Sequence, residues 1–117
     1  MTITPLGWDE RARDLPALAA SGWRGIEGRD AIRKIWVFAS FSEAFGFMTR
    51  CALAAEKADH HPEWSNTWAT VDVTLATHDC DGLSARDVAL ARIFDALGTD
   101  ARKIRDDHGV ELEAPDL

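Results

Sequence analysis

"SFSEAFGFMTRCALAAEKADHHPEW", Ser40 to Trp64, spells out a helix together with both of its ends. Ser40 followed by Glu43 is a capping-box spacing, in which each side chain satisfies a free backbone N–H of the first turn. Beyond it, Phe41, Ala44, Phe45, Met48, Cys51, Ala52 and Ala55 recur every three or four residues. That spacing predicts one apolar stripe laid against a sheet. Phe47, Leu53 and Ala54 fall largely off the stripe and predict a second apolar surface, either isolated exposed groups or a subunit contact. Pro62 stops the helix, because a residue before proline is pushed out of helical dihedrals. The chain is therefore expected to be extended by His61.

The flanking segments fit the same plan. Trp8 to Ala20 reads as a helix that Pro16 should kink or restart and that Ser21-Gly22 ends. "WRGIEGRDAIRKIWVF" reads as a hairpin turning at Gly28-Arg29-Asp30. Its second strand, Ala31 to Phe38, places Ile32, Trp36 and Phe38 on one face and Ile35 and Val37 on the other. After Pro62 two more strands are expected, Glu63 to Ala69 and Val71 to Thr77. In the second, Val71, Val73 and Leu75 alternate with Asp72, Thr74 and Ala76, as in a half-buried strand. Gly82 marks a turn, and Ser84 with Asp87 opens a last helix carrying Val88, Ala91, Ile93 or Phe94, and Leu97. Residues 110–117 are expected to fray. The order α-β-β-α-β-β-α predicts an α+β fold over a single domain, 1–117: a four-stranded antiparallel sheet with three helices on one face.

Composition narrows the function. At 117 residues, 46% hydrophobic and 28% charged, the chain has the balance of an ordinary globular domain. A net charge of -7 argues against binding nucleic acid or an anionic membrane through a basic patch. No apolar run approaches the roughly 20 residues of a membrane span. The N-terminus lacks the basic start and apolar stretch of a signal peptide, so the cytoplasm is the expected location. There Cys51 and Cys80, which form no C-x-x-C spacing, are expected as free thiols.

Of four histidines, His60 and His61 adjoin where the helix must end, His78 follows in "ATHDCDGLSARD", and His108 lies in a charged tail. Carbonyls at a helix C-terminus attract a cation, and an imidazole with an ordinary pKa of about 6.5 suits general acid–base work. If strand pairing brings the end of the last strand to this corner, His78 joins a histidine-lined cleft. Three other readings compete. The pair can be a helix cap alone. His60, His61 and His78 with Glu56 or Asp79 can be metal ligands, although no H-x-x-x-H or H-x-H spacing is present. Cys80 near His78 can be a nucleophile, although closeness in sequence does not make a dyad.

"EGRDAI", "AFGFMTR", "EKADHHPEW" and "THDCDGLSARD" together resemble the pterin-4a-carbinolamine dehydratase family, over about Trp23 to Leu97. The resemblance implies a four-stranded antiparallel sheet with helices on one face. It implies a hydro-lyase that removes water from 4a-hydroxytetrahydrobiopterin to give quinonoid dihydropteridine, without metal or cofactor, recycling the pterin after aromatic amino acid hydroxylation. By position, His60, His61 and His78 match the family's active-site histidines, Glu56 an assisting acid and Arg86 an arginine near the site. Substrate contacts are implied for Asp59, His60 and His61 and for Ala76, Thr77, His78 and Asp79. Trp64 and Trp23 are candidates for an aromatic wall, with Trp23 the better core residue. Asp79 stands where Glu is usual, and Ser65 where an aromatic is frequent. The resemblance further implies a homodimer or homotetramer and, as an alternative function, a protein-binding, assembly or transcriptional dimerisation role, while the acidic charge argues against direct nucleic-acid or membrane contact.

Overall fold

The structure, a computed structural model, describes residues 2–105 and 111–113. Among these, three helices pack against one antiparallel sheet, the α+β architecture the sequence predicts. The elements are α1 (Trp8–Ala20), β1 (Arg24–Ile26), β2 (Arg29–Val37), α2 (Phe41–Ala58), β3 (Glu63–Thr67), β4 (Thr70–Leu75), α3 (Ala85–Leu97), β5 (Lys103–Arg105) and β6 (Glu111–Glu113). A short 3-10 turn, His78–Cys80, follows β4. The strand order is β3-β4-β2-β5-β6, with β1 also paired to β2.

The two expected hairpins form. Gly28 turns the first at φ 79, a left-handed conformation that a side chain disfavours. Strand β2 begins at Arg29, two residues earlier than Ala31, so Arg29 and Asp30 belong to the strand and not to the turn. In β4, Val71, Val73 and Leu75 are fully buried while Asp72 and Thr74 are not, matching the alternation in sequence. Pro16 does not divide α1, which runs unbroken from Trp8 to Ala20.

Strands β5 and β6 lie beyond the four that were expected. Lys103-Ile104-Arg105 offers only one apolar residue, and its strand character comes from pairing with β2, where Ile104 is buried opposite Trp36. Within the stretch 110–117 that was expected to fray, Glu111–Glu113 pairs with β5 as β6. Positions 110 and 114–117 lie outside the described residues.

Helix α2 carries the predicted cap: Ser40 Oγ accepts from Glu43 N–H at 3.1 Å, and Glu43 accepts from Ala39 N–H at 3.1 Å. The buried face keeps Ala44, Cys51 and Ala55 of the expected stripe but is turned toward Phe47 and away from Phe41 and Phe45. Ala44, Phe47, Cys51 and Ala55 are buried, whereas Phe41 and Phe45 are 49% and 55% exposed. Two stripes of helical period coexist in this sequence, and the sheet selects between them. The Phe47 ring sits 4.9 Å from Trp36 and 5.0 Å from Phe38, filling the space above β2. Burying a ring of this kind contributes about 1.5–3 kcal/mol. Phe47 is therefore core, neither a stray exposed residue nor a subunit contact. Helix α3 likewise buries Val88, Leu90, Ala91 and Phe94 and leaves Ile93 exposed.

One cation lies inside this core layer. Lys34, 4% exposed, points from β2 toward α3, where Nζ meets Asp95 Oδ1 at 2.7 Å and lies 4.8 Å from the Trp36 ring centroid. Asp95 also accepts from Ser21 Oγ and Trp23 Nε1, joining the end of α1, the start of the hairpin and α3. Burial pushes the Lys34 ammonium below its usual range, against the opposing pull of Asp95. Removing Asp95 strands a buried charge, so Asp95→Ala is expected to cost about 3–5 kcal/mol in urea unfolding, against less than about 1 kcal/mol for Lys34→Met. The unfolded chain binds the extra proton between the lowered native value and 10.5. Wild type should accordingly gain stability relative to Lys34→Met as pH rises through that window.

Candidate active site

Helix α2 ends in a left-handed residue, Asp59, at φ 51. Its N–H reaches Glu56 O at 3.1 Å, and His60 N–H reaches Ala55 O at 3.1 Å. These two bonds form a Schellman-type stop, with an aspartate where glycine is more usual. Pro62 then directs the chain into β3. The pairing of Glu63 with Thr74 fixes the register of β3 against β4. Continued two pairs further along the two chains, that register sets His61 beside Ala76. The histidines from the helix end and from the loop after β4 therefore meet at one corner of the sheet.

The corner is a cleft of about 210 Å³, lined by Arg29, Asp30, His61, Glu63, Ala76, Thr77, His78, Asp81 and Gly82. His61 and His78 are both solvent-exposed there. His61 Nε2 lies 2.8 Å from Glu56 Oε1, which steadies the ring from the helix side. His60 does not line the cleft. Its ring is buried behind the wall, with Nε2 2.6 Å from Asp87 Oδ1. Thr77, which does line the cleft, donates to Asp87 Oδ2 at 2.7 Å. Asp79 is exposed on the 3-10 turn outside the lining, and Arg86 on α3 reaches toward the Asp59 carbonyl at 3.5 Å. Trp64 stacks on Phe94 at 6.4 Å and Trp23 is core, so neither forms the cleft wall.

Sequence reasoning missed Arg29, Asp30, Glu63, Asp81 and Gly82 as lining residues. Arg29 and Glu63 form an ion pair across the cleft mouth, and the Arg29 guanidinium holds the Glu63 carboxyl below the usual carboxylate range. Asp30 is gripped by Arg11 through two 2.8 Å bonds and accepts from Leu83 N–H at 3.0 Å. Gly82 makes this possible, since a Cβ there would stand 2.4 Å from Asp30 Oδ2. The hairpin motif containing Arg29 and Asp30 was visible in sequence, but which face it offered depended on the β1–β2 pairing.

A larger hollow, about 660 Å³, opens between α1 and the first hairpin. Its walls are mainly apolar and carry no imidazole, so it lacks the acid–base groups of the histidine corner. Among the described residues, no group of three or more His, Cys, Asp or Glu is arranged to hold a metal ion. Cys51 is buried and its thiol is pushed up to about 12 by burial, which makes it inert at neutral pH.

A family model described as pterin 4 alpha carbinolamine dehydratase matches residues 4–97. A protein of Jannaschia sp., named by inference as a pterin-4-alpha-carbinolamine dehydratase, is 59% identical over 87 residues, 74% of this chain and 89% of its own. A protein of the same inferred name from Rhizorhabdus wittichii is 57% identical over 97 residues, 83% of this chain and 98% of its own. A solved structure from Brucella melitensis, described as a transcriptional coactivator/pterin dehydratase, is similar at a TM-score of 0.76 and 46% identity, covering 81% of this chain and 99% of that one. A second, described as a pterin dehydratase-like RuBisCO assembly factor in the alpha-carboxysome, is similar at a TM-score of 0.58 and 26% identity, covering 66% of this chain and 89% of that one.

Proposed function

The chain belongs to the pterin-4a-carbinolamine dehydratase family, and on that premise we propose that it dehydrates 4a-hydroxytetrahydrobiopterin to quinonoid dihydropteridine by histidine acid–base catalysis. Membership makes it a hydro-lyase. The observation that carries the finer reading is that two imidazoles from separate segments, His61 and His78, line one small polar cleft with a third, His60, held directly behind it.

The chemistry needs a proton delivered to the departing 4a-hydroxyl and a proton removed from N5. As the N5 lone pair moves in to form the C4a=N5 bond, the C4a–O bond breaks and water leaves. One proton enters and one departs, so imidazoles at both ends suffice, each contributing about 10²–10⁴-fold. Glu56 is read as orienting His61. Asp59, Ala76, Thr77, Asp79 and Arg86 complete the substrate contacts in this reading, with backbone groups from the two segments meeting the polar edge of the ring. The reaction serves to recycle pterin in the cytoplasm. Among the described residues, no helix is long and apolar enough to cross a membrane.

A second reading, protein contact, is favoured by one observation. Phe41, Phe45 and Leu53 leave α2 with an exposed apolar surface, Leu53 at 69%. Self-association into a dimer or tetramer would cover it. A pure binding module would not need three histidines gathered at one corner, which ranks catalysis first.

His61→Ala and His78→Ala should each lower turnover at least about tenfold with circular dichroism unchanged. Wild-type rates in both variants would sink the histidine mechanism. Activity should persist after exhaustive chelation, and loss on EDTA treatment with recovery on adding one metal would overturn that expectation. Light scattering should give a mass at least twice 12.9 kDa at micromolar concentration. Phe45→Glu or Leu53→Glu should reduce it, because each would bury a charge at the contact; a wild-type mass of one chain refutes self-association.

A further inference from the structure

Asp87 stands on the first turn of α3 with no exposed surface, and its two oxygens serve different partners. Oδ2 accepts from Ser84 N–H at 3.0 Å and from Thr77 Oγ1 at 2.7 Å. Since the Thr77 hydroxyl proton is committed to Asp87, the 2.6 Å contact between Thr77 and Ser84 is donated by Ser84 Oγ. Capping α3 therefore occupies one oxygen only. The other, Oδ1, faces His60 Nε2 at 2.6 Å and has no part in the cap.

We propose that Asp87 is a positioning residue for the dehydration, holding His60 as its Nε2–H tautomer and so leaving Nδ1 as the nitrogen that exchanges protons with the pterin. This rests on the acid–base reading of the histidines given above. An ionised carboxylate only accepts, so the proton between the two groups belongs to Nε2. His60 is 8% exposed. Among the described residues Nδ1 has no hydrogen-bond partner, yet it is not one of the nitrogens buried without one, so the exposed remnant of the ring includes it. The backbone holds the ring there as well, through the His60 N–H bond to Ala55 O. Nδ1 can then take up or release a proton while the Nε2–H···Oδ1 bond persists, and the ring need not turn between the two states. The same carboxylate fixes Thr77 in the cleft wall, so one buried group sets two parts of the site.

The primary measurement requires no substitution. Long-range 1H–15N spectra of wild-type protein, recorded above the imidazole titration, should show neutral His60 protonated at Nε2, and addition of a dihydropterin should move the Nδ1 resonance far more than Nε2. A neutral His60 protonated at Nδ1, or an Nδ1 resonance indifferent to the dihydropterin, overturns the proposal. Asp87→Asn reverses the arrangement. Its one oxygen is required by Ser84 N–H and Thr77, which turns the amide NH2 toward His60 and forces Nε2 to accept. The tautomer should switch to Nδ1–H and kcat should fall at least about tenfold, with KM within about threefold. Ser84→Ala removes a hydroxyl of the cap but spares the Asp87–His60 contact, so it should lower Tm and keep the wild-type tautomer. If Asp87 only caps the helix, Asp87→Asn will behave as Ser84→Ala does, with unchanged tautomer and kcat, and the proposal is wrong. Should Asp87→Asn fail to fold, the wild-type spectra decide. A wild type with the assigned tautomer but no dehydratase activity would count against the proposed reaction and leave the Asp87–His60 assignment standing.

Discussion

Glu63 paired with Thr74 is the contact on which the cleft depends. Side chains alternate along a strand, so a slip of one residue would turn Val71, Val73 and Leu75 out of the core and bring Asp72 and Thr74 in. The apolar content of β4 forbids that slip. The same register sets the helix end beside the loop after β4, where the Thr77–Gly82 bridge closes the turn carrying His78. Hydrophobic burial on one face of the sheet thus decides the neighbours of two histidines at its end.

Polar groups inside the helix–sheet layer divide into two kinds. Asp95 gathers Lys34, Ser21 and Trp23 and binds three elements together, away from the cleft. Asp87 gathers Ser84, Thr77 and His60, and two of those three belong to the histidine corner. A carboxylate withdrawn from water, fully as in Asp87 or in large part as in Asp95, is costly unless its acceptors are filled, and both are filled. The difference lies in where the donors come from: for Asp95 they are framework, and for Asp87 they include the residues that define the wall.

Much of this was legible in the sequence. The Ser40–Glu43 spacing and Pro62 bounded α2, the alternation in β4 marked its buried face, and the clustering of His60, His61 and His78 pointed to the corner they occupy. What could not be read followed from pairing. The period placed Phe45 on the core stripe and left Phe47 off it, and only the position of Trp36 and Phe38 beneath the helix brings Phe47 inward. Lys34 sits on the face of β2 shared by Ile32 and Trp36, a place where charge is not expected until Asp95 is known to meet it. Ser84 and Asp87 read as a helix cap, which they are. A capping pattern has no means of showing that the aspartate has a second oxygen aimed at a histidine 27 residues earlier.

Arg11 belongs to α1, far along the chain from every histidine, yet it grips Asp30, and Asp30 in turn holds the backbone N–H of Leu83. Gly82 brings that loop close enough for the bond to form. The N-terminal helix therefore acts as a buttress under the floor of the cleft, in the way an abutment carries an arch it does not span. A change in this helix would therefore reach Asp30 and the loop after β4 while the histidine motif remains letter for letter the same. Two chains with identical histidine motifs need not shape this cleft alike, and the place to look for the difference is the first dozen residues.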